Sequence, residues 1–212
     1  MIKKYPFFFL SVFLFVCFIF FSYLVHKNLF TQFDFDTTVH LQDAIPRRLD
    51  LPFSWLSIIG NAEVMSVVLT TVLLWWAVAR KRWRAVVIFL AFAGMHLFEL
   101  YGKYFVDHRP PPQFMLRTEY PVNFPQFYVS AQNSYPSGHA ARALFVTLVL
   151  AFIFHKNTKL SQEKKWIIYA ILVIYDCALL VSRVYLGEHW SSDVIGGSIL
   201  GISFALASIG LL

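Results

Sequence analysis

The chain has 212 residues, of which 58% are hydrophobic and only 14% charged, and its mean hydropathy is +0.60. A water-soluble domain does not carry so many apolar side chains with so few charges. The formal net charge of +6 does not indicate a nucleic-acid partner, because the basic residues sit in short clusters beside apolar runs, the pattern that sets membrane topology.

The run from Tyr5 to Val25 carries no charge and is long enough to cross ~30 Å of hydrocarbon, which takes ~20 helical residues. Lys3 and Lys4 precede it, as in a secretory leader, but the apolar stretch outlasts a typical leader core and no A-x-A site follows. It reads as a retained anchor. Residues 26–54 mix Asp34, Asp36, Asp43, Arg47, Arg48 and Asp50 with Phe33, Phe35, Leu41, Ile45 and Leu49. An amphipathic helix lying on the membrane and an ordinary polar loop both fit that mixture.

A second helix is expected at about 55–79, with Asn61 and Glu63 near its start, followed by a basic turn of Arg80, Lys81, Arg82 and Arg84. A third, at about 85–106, holds Glu99 and Lys103 one turn apart, and the spacing predicts that they neutralise each other. In the loop 107–136, Pro110, Pro111, Pro112, Pro121 and Pro125 exclude regular helix. Three further helices follow at about 137–155, 166–182 and 192–212, with Lys156, Lys159, Lys164 and Lys165 between the first two. Arg142 and Asp176 fall inside these apolar helices, where each alone is costly, so they are expected to pair. Cys17 and Cys177 each lie in an apolar run and imply no disulfide.

The fold class is therefore all-α: one integral membrane domain over residues 1–212 with six transmembrane helices. Six spans return both termini to one side, where all three basic clusters also fall. The positive-inside rule makes that side the cytoplasm of a cell (inner) membrane. Loops 26–54, 107–136 and 183–191 then gather on the periplasmic or exterior face.

Three polar stretches meet on that face. Lys103 and Arg109 offer two cations at the end of the third helix. Tyr135-Pro136-Ser137-Gly138-His139 opens the fourth, where Ser137 suits an N-cap, Gly138 lets backbone approach a ligand and the first turn offers free N–H groups to an anion. Ser182-Arg183 through His189 and Asp193 forms a polar break between apolar runs. Asp193 follows His189 by one helical turn, so its carboxylate takes a proton from one imidazole nitrogen and leaves the other as a nucleophile. Arg183 adds a fork of donors for an anion. Two histidines, one carboxylate and three cations, with no metal-ligand cluster, suit phosphoryl transfer through a phospho-histidine. The other five histidines, His108 among them, read as core or interface residues.

In these residues the chain resembles the type-2 phosphatidic acid phosphatase (lipid phosphate phosphatase) family, whose motifs are Lys-x6-Arg-Pro, Pro-Ser-Gly-His and Ser-Arg-x5-His-x3-Asp. The second is matched by Pro136, Ser137, Gly138 and His139, and the third by Ser182, Arg183, His189 and Asp193. The first departs: five residues separate Lys103 from Arg109, so Pro110 falls where the family has Arg, and Arg117 is the alternative cation. The resemblance implies a compact, bacterial-type, six-helix phosphatase needing no cofactor or metal. Its substrate would be a lipid phosphate or diphosphate such as phosphatidic acid, phosphatidylglycerol phosphate or polyprenyl diphosphate. His189 would be the nucleophile, Asp193 its orienting partner and His139 the proton donor, while Lys103, Arg109, Ser137, Gly138 and Arg183 would hold the phosphoryl oxygens. A lipid phosphotransferase and a non-catalytic phospholipid-binding protein stay open as alternatives, and the oligomeric state is not readable.

Overall fold

The computed structural model describes residues 5–80, 85–119 and 132–211. Lys3, Lys4, Lys81, Arg82, Arg84, Pro121 and Pro125, on which parts of the topology and loop readings rest, lie outside the described residues. Among the described residues the α-helices are α1 (Tyr5–His26), α2 (Thr31–Ala44), α3 (Asp50–Ile59), α4 (Ala62–Arg80), α5 (Ala85–Phe105), α6 (Gly138–His155), α7 (Gln162–Tyr185) and α8 (Ser191–Leu211). Five of these, α1 and α5 to α8, are each long and apolar enough to cross a membrane. The chain is an all-helical, multi-pass membrane protein.

The single helix expected over 55–79 is instead two, α3 and α4, bent by 51° into one candidate span. Gly60 ends α3 and Asn61 precedes α4, two residue types that disfavour helix interiors. The bend brings Asn61 into the site described below. The stretch 26–54 contains a helix, α2, whose Asp34 and Thr38 are buried. At the other end, Ser161 caps α7 by accepting from the Lys164 N–H, so the helix begins before residue 166. It also runs on to Tyr185, so Arg183 stands in its last turn and not in a polar break.

α6 and α8 form the buried centre, and α1, α5 and α7 pack around them. Phe9, Phe13 and Phe20 on α1, Leu90 and Leu97 on α5, and Ile167 and Ile174 on α7 are exposed. In lipid such a sheath is the expected surface, and helices associate instead through close packing of small residues. α8 supplies these: a Cβ added at Gly197 would lie 2.2 Å from the Ser137 carbonyl oxygen, and one at Gly201 2.2 Å from that of Ala141. Two glycines one turn apart thus seat the start of α6 against the start of α8. The apolar core beneath includes Phe18, Phe92, Met95, Phe145, Val149 and Leu200.

Candidate active site

The start of α8 sets the geometry. Trp190 N–H donates to Asp193 Oδ2 at 2.9 Å, the reciprocal half of a capping box in which a third-position carboxylate reaches back to the residue before the helix. His189 Nδ1 lies 3.3 Å from the same oxygen. The His189 Nε2 has no hydrogen-bond partner among the described residues, and the ring of His139 faces it at 6.4 Å between centroids. His139 is held from the other side, where its Nε2 donates to Asn61 Oδ1 at 2.9 Å. Asn61 is buried and its Nδ2 has no partner among the described residues.

Asp193 is fully buried, and its second oxygen, Oδ1, accepts from His108 Nδ1 at 2.9 Å. His108 Nε2 is 3.5 Å from Asp34 Oδ2. Asp34 in turn accepts from Ser192 N–H at 2.8 Å and from Ser192 Oγ at 2.7 Å. Burial opposes a charge on the His108 ring, but the hydrogen bonds and fields of Asp193 and Asp34 outweigh it and raise its pKa to about 9. His108 is buried, as a core histidine was expected to be, and the two carboxylates favour its imidazolium form at neutral pH.

The remaining expected residues sort into two groups. Ser137 caps α6, its Oγ accepting from Ala140 N–H at 3.5 Å, while its own N–H donates to the Asp193 carbonyl at 3.0 Å. Arg183 is fully buried; Nη1 donates to Glu188 Oε2 at 2.5 Å and to Ser57 Oγ at 2.6 Å. The Lys103 charge acts on Asp193, and its Nζ donates to the Ser134 carbonyl at 3.4 Å. These three stand with His139, His189 and Asp193. Arg109 does not: it is exposed and lines a cavity of about 420 Å³ that includes Asp34, His108 and Trp190 but neither His139 nor His189. Nor is Arg117 free to replace it, since its Nη1 donates to the Gln42 carbonyl and its guanidinium covers the Tyr185 ring.

Two expectations change. Arg142 does not pair with Asp176; its Nη1 bonds both oxygens of Glu99, at 3.1 and 3.2 Å, and Asp176 accepts from Thr147 Oγ1 at 2.8 Å. Glu99 thus hydrogen-bonds Arg142, and its charge also acts on Lys103 as the spacing predicted. Gly138 serves that pair, since an added Cβ would lie 1.9 Å from Glu99 Oε1 and 2.5 Å from Arg142 Nη1. The missing side chain makes room for a buried salt bridge before it makes room for any ligand.

Asp34, Asn61, His108 and Glu188 were not picked out from the sequence. Only His108 carried a signal, its place beside Arg109. Chemically, the arrangement offers a carboxylate-oriented imidazole facing a second imidazole, with two cations and a helix start beside them.

The sequence profile of the PAP2 superfamily matches residues 81–211, which hold every one of these motifs. The chain belongs to the PAP2 superfamily. It is 28% identical over 123 residues to phosphatidylglycerophosphatase B of Bacillus subtilis (strain 168), a match spanning 58% of this chain and 55% of that protein. The match thus covers little more than half of that relative's length. It is 31% identical over 156 residues to YbjG of Escherichia coli (strain K12), whose name carries a provisional undecaprenyl-diphosphatase assignment, spanning 72% of this chain and 70% of that one. Among PAP2 crystal structures, the transmembrane phosphatidylglycerolphosphate phosphatase of Bacillus subtilis superposes with a TM-score of 0.78, at 23% identity, over 95% of this chain and 94% of that one. LpxE of Aquifex aeolicus superposes with a TM-score of 0.59, at 22% identity, over 83% and 94% of the two chains. At these identities the superpositions bear on the fold alone.

Proposed function

We propose that this PAP2 protein hydrolyses a phosphate monoester or diphosphate of a membrane lipid through a phospho-histidine intermediate. The observation that carries the reading is the pair of imidazoles 6.4 Å apart, one tied to a buried carboxylate. Binding alone needs cations, not two histidines in different environments.

In the first step Nε2 of His189 attacks phosphorus and the phosphorus–oxygen bond to the lipid breaks. Asp193, on Nδ1, stabilises the positive charge that develops on the ring. His139 gives its proton to the departing oxygen. In the second step His139 takes a proton from water, the water oxygen bonds to phosphorus, and inorganic phosphate leaves as His189 is regenerated. Lys103, Arg183 and the free N–H groups of the first turn of α6 meet the charge of the phosphoryl oxygens. Arg183 can do so only by exchanging its bond to Glu188 for one to phosphate, so Glu188 acts as a placeholder anion.

The relatives point to phosphatidylglycerol phosphate and undecaprenyl diphosphate as first substrates, with phosphatidic acid as the third candidate. The site lies at the exterior end of the bundle, with both termini cytoplasmic. The test is release of inorganic phosphate from each of these three lipids by purified protein in detergent, with EDTA present. Release that survives EDTA and disappears in His189→Ala supports the reading. Transfer of label to an acceptor lipid without free phosphate would replace hydrolysis with phosphotransfer.

A further inference from the structure

We propose that His108, clasped between Asp34 and Asp193, is a positioning residue that fixes the Asp193 carboxylate and through it the ring of His189. The inference rests on the lipid-phosphatase reading above and names a residue outside the three sequence motifs.

The distances carry the argument. A charge-assisted N–H to carboxylate bond is usually ~2.7–2.9 Å. At 3.3 Å, His189 is the loosest of the three groups on Asp193, whereas His108 and the Trp190 N–H each hold it at 2.9 Å. The orientation of the carboxylate is therefore set by His108 and Trp190, and His189 takes the position that remains. His108 is itself immobilised on every side. Its N–H donates to Asn133 Oδ1 at 3.2 Å, and its carbonyl accepts from Ser134 N–H at 2.9 Å and Ser134 Oγ at 3.1 Å. Ser134 begins the short segment that leads to His139. One residue thus joins the backbone entering α6 to the carboxylate entering α8, the two places that supply the opposed imidazoles.

The charged groups around His108 come from several elements. Asp34 faces it from α2 and Asp193 from α8, and Asp193 connects it to His189. Asp107 and Arg109 flank it at the neighbouring cavity, and Lys103 on α5 acts on the shared Asp193. The imidazolium lies between two carboxylates at the start of α8, where they would otherwise repel each other.

Two substitutions separate positioning from simple cross-linking. An Asn amide nitrogen falls where Nδ1 stands and keeps the donor to Asp193, while a Gln amide nitrogen falls near Nε2 and keeps the donor to Asp34. With phosphate release from phosphatidylglycerol phosphate and undecaprenyl diphosphate as readout, His108→Gln is expected to lower kcat roughly 10–100-fold with KM nearly unchanged, the range for loss of a hydrogen bond to a charged group. His108→Asn is expected to stay within about fivefold of the wild type, because its neutral amide keeps the donor to Asp193. A residue that merely clamps α2 to the bundle gives the reverse order, and that result overturns the proposal. Wild-type kcat in His108→Gln overturns it as well, while leaving the phosphatase reading intact. Silence of the wild type on every lipid overturns both. If His108→Gln does not fold, NMR titration of the His108 imidazole in the wild type and in Asp193→Asn decides. The midpoint is expected to fall by about one pH unit or more in the variant, and an unmoved midpoint ends the proposal.

Discussion

The Glu99–Arg142 pair offers the sharpest test of how the bundle is held. Arg142 Nη1 bonds both carboxylate oxygens, and the side chains are 8% and 9% exposed, so neither charge has water to fall back on. Truncating one partner of a buried ion pair leaves the other uncompensated and costs about 3–5 kcal/mol, whereas replacing both by apolar groups is often neutral. Glu99→Leu and Arg142→Met are each expected to destabilise within that range, and the double variant Glu99→Leu/Arg142→Met to lose less than either single change. Unfolding titrations of the four proteins in mixed micelles give the cycle. Arg142 also donates through Nε to the Gly60 carbonyl at 3.4 Å, at the bend that presents Asn61 to His139. Each single variant should therefore lose kcat along with stability. Gly138→Ala, whose Cβ would collide with the pair, should reproduce the single-variant phenotype without touching a charge. Additive losses in the double variant would refute the reasoning, because they would mean that the two charges do not depend on each other.

Four further outcomes follow from the same geometry. Gly197→Ala forces a Cβ to 2.2 Å from the Ser137 carbonyl; backbone cannot yield as a side chain can, so a loss of about 1–3 kcal/mol is expected in the same titration. Asn61→Leu removes the acceptor from His139 Nε2 and is expected to lower kcat about 10–100-fold with little change in stability, measured by phosphate release. The proposed two-histidine mechanism requires neutral His189 and protonated His139 together, so kcat/KM against pH should be bell-shaped; a monotonic profile between about pH 5 and 9 would contradict it. His108 also links stability to pH: its folded pKa of about 9 exceeds the unfolded 6.5, so its contribution is full below about pH 6.5 and is lost as pH rises through about 9. That contribution is at most about 3 kcal/mol. Thermal midpoints in detergent from about pH 6 to 10 should fall for the wild type and flatten in His108→Asn.

The spans were legible because transmembrane helices announce themselves by length and apolarity, and the motifs at Pro136–His139 and Ser182–Asp193 were legible because their spacing is local. What escaped was non-local or depended on a single φ/ψ choice. Asp34 reads as one acid among several in a mixed segment, and only the packing of α2 against the α8 start gives it Ser192 and His108 as partners. The bend at Gly60–Asn61 is hidden because apolar residues continue on both sides of it. Arg142 seemed to need Asp176 because both lie deep in helices, yet the rotational position of α5 presents Glu99 instead. A shifted first motif suggested a misplaced arginine. In the structure His108, not Arg109, lies against Asp193.

The central claim is that phosphorus passes through His189. The most direct measurement is a rapid alkaline quench of the protein turning over lipid labelled with 32P in its scissile phosphate, followed by peptide mapping. The account predicts a base-stable, acid-labile phosphoryl group on His189, absent in His189→Ala and accumulating in His139→Ala with a diphosphate substrate, whose leaving group needs little help from a proton donor. Turnover at the full rate with no label on His189, or with label on another residue, would contradict it.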